Sequence, residues 1–307
     1  MAWDFTTGPE FQDKLDWADD FVRREVEPLD LVWPHDAYKP LSPERRRIVD
    51  PLKQQVRDAE LWACHLGPEL GGKGYGQVKL ALLNEILGRS AWAPIIFGTQ
   101  APDTGNAEIL AHYGTEEQKA KYLQPLLDGE IFSCYSMTEP HAGADPGEFT
   151  TQARRDGGEW VIDGWKFFSS NARWAEFLIV MAFTDREAGP YRGMSMFLVP
   201  TSTAGVKIER NIGLLHEAAD AGAHALIHYD GVRVPADNLL GGEGQAFAVA
   251  QTRLGGGRVH HAMRTVGLAQ KALDMMCERA LSRHTKGSVL ADKQAVQAFI
   301  ADSYAEL

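Results

Sequence analysis

The sequence predicts an α+β protein built from three consecutive parts, each with its own hydrophobic pattern. Apolar residues recur every three or four positions before residue 132, which is the period of an amphipathic helix. Short β-rich runs separated by turn residues occupy the middle of the chain, and the helical period returns after residue 244. We therefore expect an N-terminal helical domain at 1–132, a middle β domain at 133–241, and a C-terminal helical bundle at 242–307 that is incomplete in this chain.

The N-terminal part contains apolar stripes at helical spacing and one clear helix start. The first stripe consists of Leu15, Ala18, Phe21 and Val22. Thr115 and Gln118 have the spacing of a capping box, in which each side chain binds the backbone N–H of the other residue. The pattern predicts a helix just after Thr115 and needs no strand before residue 130.

The middle part is predicted to form an antiparallel sheet. The β-rich runs at 160–162 and 165–168 flank Asp163 and Gly164, and an Asp-Gly pair in this position is a strong hairpin signal. Further β-rich runs lie at 177–183, 194–199, 206–208 and 224–234. Because no crossover helix fits between these runs, we expect an antiparallel barrel or sandwich.

Two helices are predicted in the last part, from 246 to about 284 and from 291 to the end. The second helix has one apolar face, formed by Val296, Phe299, Ile300, Tyr304 and Leu307. Such a face is expected to pack against further helices. The first helix includes Gly255, Gly256 and Gly257, each of which costs about 1 kcal/mol relative to Ala in a helix interior.

Composition excludes several classes of protein. The 307 residues include 31 Lys and Arg against 42 Asp and Glu, and the net charge of −11 argues against a nucleic-acid partner. The longest apolar run, at 177–183, is far shorter than the roughly 18 residues that a membrane helix needs. Residues 1–10 have no signal-peptide pattern, so a cytoplasmic location and no membrane association are expected.

The cysteines and histidines do not predict a metal site. Cys64, Cys134 and Cys277 are far apart and lack CxxC spacing, which favours neither a disulfide framework nor zinc. His260 and His261 are adjacent on a predicted helix, where neighbouring side chains point about 100° apart. We therefore expect no metal.

The densest chemical signal lies at 135–146, with the sequence Tyr-Ser-Met-Thr-Glu-Pro-His-Ala-Gly-Ala-Asp-Pro. Ser136 and Thr138 supply hydroxyls, and the small residues around Gly143 allow backbone N–H groups to approach a polar ligand. Phe168 is likewise followed by two serines at 169 and 170. This arrangement fits a planar cofactor held by stacking and hydrogen bonds, and it also fits an ordered loop beside a buried Phe.

Three motifs in this order resemble the acyl-CoA dehydrogenase family of flavoenzymes. They are the run at 135–145, Gly-Trp-Lys-Phe-Phe-Ser-Ser-Asn at 164–171, and Val-Arg-Val-Pro-Ala-Asp-Asn-Leu-Leu-Gly at 232–241. The agreement extends from about residue 10 to the last residue, and it implies the same three-part architecture. Residues 253–264 are most similar to the branch that contains the eukaryotic kinase-fused acyl-CoA dehydrogenases and their stand-alone bacterial relatives.

The resemblance implies FAD as the cofactor. It places Thr138 at the pyrimidine edge of the flavin, Phe168 against the flavin face and Ser170 near N5. The residues that it assigns to the same side of the cofactor are Tyr135, Ser136, Met137, Thr138, Gly143, Ala144, Phe168, Ser169 and Ser170.

In this family FAD lies between two subunits, so the resemblance also implies a homodimer or homotetramer. Arg283, Thr285 and Gln294 match residues that reach the cofactor of the neighbouring subunit. Arg283 suits a diphosphate because its guanidinium can bind two oxygens at once, although an exposed cation at a helix end is an ordinary alternative.

The implied reaction is α,β-dehydrogenation of an acyl-CoA thioester, with electrons passed to an electron-transferring flavoprotein. Ala144 and Arg258 match substrate-binding positions. Two alternatives stay open: an acyl-CoA oxidase, and a non-catalytic or half-site subunit of a heteromeric acyl-CoA dehydrogenase.

The catalytic base is missing from the matched positions. Most family members carry it in a loop beyond the position of residue 307, and a minority carry a glutamate where this chain has Gly257. Glu243, Asp274 and Glu278 match neither position and are expected to be surface charges. No catalytic residue is therefore assigned. The glycines at 255–257 either widen the acyl pocket for a long or bulky chain or form a packing kink.

Overall fold

Helices form the first part of the chain, as predicted. The computed structural model describes residues 6–34, 36–214 and 222–307, so the first five residues of the N-terminal stretch considered above lie outside it. The helices before residue 130 are α1 (Pro9–Phe21), α2 (Glu27–Val32), α3 (Pro43–Asp58), α4 (Gln77–Leu87), α5 (Ala93–Ile96), α6 (Asp103–Tyr113), α7 (Glu116–Gln118) and α8 (Gln124–Asp128). Single π-helical turns at Val22–Val26 and Lys119–Leu123 continue α1 into α2 and α7 into α8.

The predicted apolar stripes form the core of this helical part. Leu15, Ala18, Phe21 and Val22 are all buried. They share one cluster with residues of α3, α4 and α5. The predicted capping box is present, with the Thr115 hydroxyl accepting from Gln118 N and the Gln118 side chain accepting from Thr115 N. Burial of these stripes, more than helix propensity, stabilises the short helices.

Seven strands form one curled sheet in the middle of the chain. They are β1 (Phe132–Ser136), β2 (Gln152–Asp156), β3 (Glu159–Ser170), β4 (Ala175–Phe183), β5 (Met194–Pro200), β6 (Val206–Ile212) and β7 (His224–Pro235). The strand order is β1-β4-β2-β3-β7-β6, with β5 paired to the other side of β4. The predicted α+β class is thus confirmed.

The hairpin predicted at Asp163 and Gly164 is wrong, because β3 runs without a turn through both residues. The real hairpin lies between Asp156 and Glu159, which close the β2–β3 ladder. Gly164 has φ +147°, and the register against β7 shifts beside it, so the Asp-Gly pair forms a bulge. A side chain at Gly164 would lie 2.6 Å from the Cα of Thr151, which explains the glycine by close packing.

The expectation of a wholly antiparallel sheet also needs a correction. β1 pairs with β4 in parallel, while β2–β3, β3–β7, β4–β5 and β6–β7 are antiparallel. A parallel pair requires a long crossover, and a helix usually supplies it. Here the β2–β3 hairpin forms the crossover between β1 and β4. The prediction considered only helical crossovers and therefore missed the parallel pair.

The last part of the chain is helical again. It contains α9 (Ala246–Ser282), the two-residue strands β8 (His284–Thr285) and β9 (Ser288–Val289), and α10 (Gln294–Glu306). α9 stays helical through Gly255, Gly256 and Gly257. Further along, it packs closely on α4, where a methyl group at Gly267 would lie 1.8 Å from the carbonyl oxygen of Glu85.

The predicted apolar face of α10 is largely exposed in the single chain. Phe299 is 64% exposed and Tyr304 is 73% exposed. Over the described ranges of the chain, none of the helices has the length and apolar character required to cross a bilayer.

Candidate functional site

A buried ion pair joins the two motif segments that the sequence analysis singled out. Lys166 of β3 and Glu139, just after β1, lie 3.0 Å apart, and both side chains are fully buried. Lys166 Nζ also donates to the carbonyl oxygen of Met137 at 2.7 Å. Glu139 further accepts from the backbone N–H groups of Thr150 and Thr151 and from the Thr150 hydroxyl. The pair therefore fixes the end of β1 against β3.

The charge state of this pair follows from its contacts. Burial alone would raise the pKa of Glu139, but Lys166 and the donors from Thr151 and Thr150 outweigh it and lower the pKa to about 2. Glu139 is consequently ionised and fully hydrogen-bonded. This supports a structural role for Glu139 and argues against its use as a base.

An accessible surface formed by Thr138, Phe168 and Ser170, here called the ledge, lies next to the ion pair. Phe167 N donates to the carbonyl oxygen of Thr138 at 2.8 Å, which brings the ends of β1 and β3 together. Phe168 has a left-handed backbone, with φ +51°, and its side chain is 45% exposed. Ser170 follows, partly exposed, at the end of β3. An exposed ring beside two hydroxyl-bearing residues suits a planar aromatic ligand.

Two of the candidate cofactor residues have side chains turned into the sheet interior. Ser136 and Ser169 are fully buried, and their hydroxyls lie 3.0 Å apart. The Ser136 hydroxyl also binds the Tyr229 hydroxyl at 2.8 Å. Their side chains therefore hold the strands together, and any contact that they make with a ligand uses the main chain.

The remaining residues of the first motif surround the ledge. Tyr135 and Met137 are partly buried, whereas Gly143 and Ala144 are exposed on the loop after β1. That loop is closed by reciprocal backbone hydrogen bonds between Glu139 and Ala142. A Cβ at Gly143 would meet only the Thr138 methyl group, at 3.5 Å. The small residues thus leave the Thr138 side accessible.

A cavity of about 450 Å³ opens beside the ledge, between the sheet and the helices. Ser170 and His224 line it from the sheet, and Arg253 and His261 line it from α9. The Ser170 hydroxyl lies 2.8 Å from Nδ1 of His224. The cavity therefore joins the candidate flavin ledge to α9.

A second cavity of about 370 Å³ lies between α6 and α9. Gly257 and Arg258 line it, and Arg253 and His261 line both cavities, so the two adjoin. The second cavity is also lined by His65, Glu108, His260 and Arg264. Arg258, predicted to bind substrate, thus lines a cavity that adjoins the one lined by Ser170.

Of the three glycines at 255–257 in α9, Gly257 lines this cavity, whereas Gly255 lies on the exposed side of the helix. A Cβ at Gly255 or Gly257 would meet nothing within 4 Å. At Gly256 the nearest atom would be Nε2 of Gln77, at 3.5 Å, followed by the Glu108 carboxylate at 3.7 Å. Because the helix continues unbroken, the arrangement fits the pocket interpretation better than the kink.

A chain of buried hydrogen bonds positions Arg253. Its Nε donates to Asn106 at 2.8 Å, Asn106 donates to the Ser133 hydroxyl, and Ser133 donates to Asp103. The guanidinium lies 3.9 Å from the centroid of the Tyr135 ring, a cation–π distance. β1, α6 and α9 therefore meet at one cation between the two cavities.

Burial shifts the pKa of several groups in the α6–α9 cavity. It raises the pKa of Glu108 to about 7 against the opposing effect of Arg253. Burial, with help from Arg264, lowers the pKa of His65 to about 3 and that of His260 to about 4. Both imidazoles are therefore neutral at physiological pH. Both ring nitrogens of His65 and Nε2 of His260 lack a hydrogen-bond partner among the described residues.

The sequence analysis did not find His65, Glu108, Arg253 or Arg264. His65 and Glu108 are far from α9 in sequence, and each resembles an ordinary polar residue of a helical region. Arg253 and Arg264 lie within the motif at 253–264, but periodicity alone gives no sign that they are buried. His260 and His261 line the same cavity, and the described residues contain no group of three potential metal ligands.

Of the other carboxylates considered as bases, Glu243 and Asp274 lie in ion pairs and Glu278 is exposed. Glu243 is 3.0 Å from Arg155, and Asp274 is 2.9 Å from Arg89. Neither lines the two cavities described above. This agrees with their predicted role as surface charges, since the Glu243 and Asp274 side chains are 47% and 37% exposed.

Arg283, Thr285 and Gln294 lie at the other end of α9. Arg283 follows α9 directly, Thr285 belongs to the small β8–β9 hairpin and Gln294 begins α10. Arg283 and Gln294 are exposed, and none of the three lines either cavity in the described chain. The structure thus does not bring them to the Thr138–Ser170 ledge of their own chain.

Three models of acyl-CoA dehydrogenase domains match the chain one after another. The N-terminal domain matches residues 9–130, the middle domain residues 134–222 and the C-terminal domain residues 244–307. The chain belongs to the acyl-CoA dehydrogenase family. The resemblance inferred from the three motifs is therefore confirmed.

Individual relatives agree with this assignment. The chain is 41% identical over 308 residues to probable acyl-CoA dehydrogenase FadE2 of Mycobacterium tuberculosis, covering 99% of this chain and 71% of FadE2. It is 42% identical over 261 residues to acyl-CoA dehydrogenase family member 11 of Homo sapiens, covering 83% of this chain and 33% of that protein. The structure of an acyl-CoA dehydrogenase homologue from Mycobacterium abscessus superposes with a TM-score of 0.87 at 37% identity, covering 98% of this chain and 77% of the other.

Proposed function

We propose that this acyl-CoA dehydrogenase family member binds FAD on the Thr138–Ser170 ledge and desaturates an acyl-CoA thioester in the adjoining cavities. One observation carries the proposal: the cavity beside Ser170 and the cavity beside Arg258 share Arg253 and His261. A ligand on the ledge and an acyl chain along α9 would therefore occupy adjoining cavities. Specific ligand sites are typically concave and placed between domains in this way.

The residues on the ledge fit a flavin. Phe168 offers an exposed ring face, and Thr138 and Ser170 offer hydroxyls to the polar edge of a planar cofactor. Bound there, FAD supplies the acceptor for the hydride that leaves the β-carbon of the thioester. The Glu139–Lys166 pair holds the ledge rigid, so that a ligand meets a preorganised surface.

The substrate is assigned to the α9 side. Arg258 lines the second cavity and carries a cation suited to a polar part of the substrate, and Ala144 lies on the open loop across from the ledge. The open space at Gly257, which lines this cavity, supports a long or bulky acyl group. A short-chain preference in a turnover panel of acyl-CoA thioesters would contradict this part of the proposal.

Position 257, where the resemblance would place a glutamate as the base in a minority of family members, supplies no group for proton abstraction. Gly257 has no side chain, although it lines the cavity immediately before Arg258. General-base catalysis needs a proton acceptor within hydrogen-bond reach of the α-carbon proton. We therefore expect the 307-residue chain to bind flavin and thioester but to transfer the α-proton slowly.

The proposed assembly is a homodimer or homotetramer in which FAD is shared. Its support is the exposure of Arg283 and Gln294, since a neighbouring subunit can reach residues that face away from their own ledge. An electron-transferring flavoprotein is the proposed electron acceptor.

The test uses purified protein reconstituted with FAD. Uptake is followed by the visible flavin spectrum, after which acyl-CoA thioesters of increasing length are added without oxygen. We expect the flavin spectrum to be perturbed on thioester binding and to bleach slowly as the enoyl-CoA product forms. Ser170→Ala should weaken FAD uptake, whereas the matched change of an exposed serine, Ser202→Ala, should not. A chain that takes up no flavin would overturn the proposal.

A further inference from the structure

We propose that His224 is a positioning residue for Ser170, and that it sets the direction in which the Ser170 hydroxyl donates its proton. The inference rests on the flavin site proposed above. Ser170 ends β3 and His224 begins β7, and the two are direct partners in the antiparallel ladder. The Ser170 hydroxyl lies 2.8 Å from Nδ1 of His224, and both residues line the cavity beside the ledge.

The backbone holds this pair in place from two sides. His224 is paired with Ser170 on one edge and with Ile212 of β6 on the other. Asn171 N donates to the carbonyl oxygen of Ala223 at 2.7 Å, immediately beside the pair. The Phe168 ring meets the imidazole edge-on, with centroids 6.4 Å apart. The imidazole is therefore located by the sheet, independently of any ligand.

The hydroxyl of Ser170 has one proton and two possible directions for it. If Nδ1 of His224 carries a hydrogen, it donates to the serine oxygen, and the serine proton is free to point into the cavity. If Nδ1 is bare, the serine proton is donated to it, and only oxygen lone pairs face the cavity. The other acceptor near this hydroxyl, the carbonyl oxygen of Phe168, is 3.5 Å away and competes poorly.

The direction of the Ser170 O–H bond matters because hydrogen bonds to the ring nitrogens of a bound flavin change its electronic properties. A donor pointing into the cavity satisfies an acceptor nitrogen of the oxidised ring, whereas a lone pair repels it. His224 thus acts through Ser170, without touching the ligand itself. The Nδ1-protonated state of His224 is the one that supports flavin binding.

The experiment is a double-mutant cycle on the FAD-reconstituted protein. His224→Leu removes the nitrogen at similar volume, and His224→Asn keeps a polar atom near the position of Nδ1. The readouts are the FAD dissociation constant, from flavin fluorescence, and the visible flavin spectrum, which a merely structural change would not shift. Thermal unfolding of each apoprotein serves as the control for folding.

We expect His224→Leu to weaken FAD binding about threefold, because the Ser170 hydroxyl, no longer held by Nδ1, distributes its proton over three staggered directions. His224→Asn should restore most of this loss. In the Ser170→Ala background, His224→Leu should have no further effect. An equal loss in both backgrounds, or no loss in the single variant, would overturn the inference. If the wild-type protein takes up no FAD, both this inference and the proposed function fail; if only the coupling is absent, the proposed function stands.

Discussion

The buried polar groups of the Glu139–Lys166 ion pair in the β domain have hydrogen-bond partners, whereas several of those in the cavity between α6 and α9 have none among the described residues. In the β domain, Glu139 accepts four hydrogen bonds, one of them from the buried ammonium of Lys166. In the cavity, His65 has two ring nitrogens without a partner among the described residues. A paired buried group supports the fold, whereas an unpaired one costs folding free energy. The paired groups thus belong to the scaffold that supports the site, whereas the unpaired groups line the cavity that a ligand could fill.

The largest effect is expected from breaking the buried ion pair. Lys166→Met leaves the Glu139 carboxylate buried without its partner, so the free energy of unfolding should fall by about 3–5 kcal/mol. Urea unfolding at neutral pH measures this change. The double variant Glu139→Gln with Lys166→Met should recover part of the loss, because no uncompensated charge remains. A loss below about 1 kcal/mol in the single variant would show that the pair does not support the scaffold.

In the cavity, by contrast, a carboxylate introduced at position 257 should be tolerated and should act as a general base. Gly257→Glu places a carboxylate where a Cβ meets nothing within 4 Å, beside Arg258. Since general-base catalysis contributes about 100-fold or more, anaerobic flavin reduction by an acyl-CoA should accelerate by about that factor. Gly257→Gln is the matched control, with the same size and no basic group. Equal rates for the two variants would exclude this position as the site of the base.

The sequence predicted the scaffold better than the cavity, for physical reasons. Helical stripes such as Leu15 to Val22 are local patterns that report burial directly. The Asp163–Gly164 pair was misread because the same dipeptide serves a turn and a bulge, and only the neighbouring Thr151 decides between them. Thr138, Phe168 and Ser170 could be proposed from the sequence because short motifs carry them. Glu108 meets α9 only in the folded chain, and its environment is not encoded in its neighbours.

A smaller effect of opposite sign to that at Lys166 is expected at His65. His65→Leu removes a buried imidazole without breaking a hydrogen bond within the described chain, so the free energy of unfolding should rise by about 1 kcal/mol. The matched control is Asn84→Leu, which removes a buried amide that donates to Leu80 and accepts from Arg264. This control should lower stability. If His65→Leu destabilised the protein as much as Asn84→Leu, the imidazole would have a partner in solution.

The smallest effect is the pH dependence contributed by Glu108. Burial raises its pKa to about 7 in the folded protein, above the ordinary value near 4.5, so the folded state holds the proton more tightly than the unfolded state. Stability from this group is therefore present below about pH 4.5 and is lost as the pH rises to about 7. Glu108→Gln removes that loss, so the variant should gain stability over wild type at pH 8 but not at pH 4.5.

Because the Glu108 carboxyl is partly exposed and solvent screens it, the gain at pH 8 should stay below about 1 kcal/mol. Urea unfolding at the two pH values measures it, with Glu130→Gln, the same change at an exposed carboxylate, as the control. A gap between Glu108→Gln and wild type that is the same at both pH values would mean that the carboxyl is solvated. The cavity would then resemble the protein surface, and its contrast with the dry ion pair of the β domain would rest on the two histidines alone.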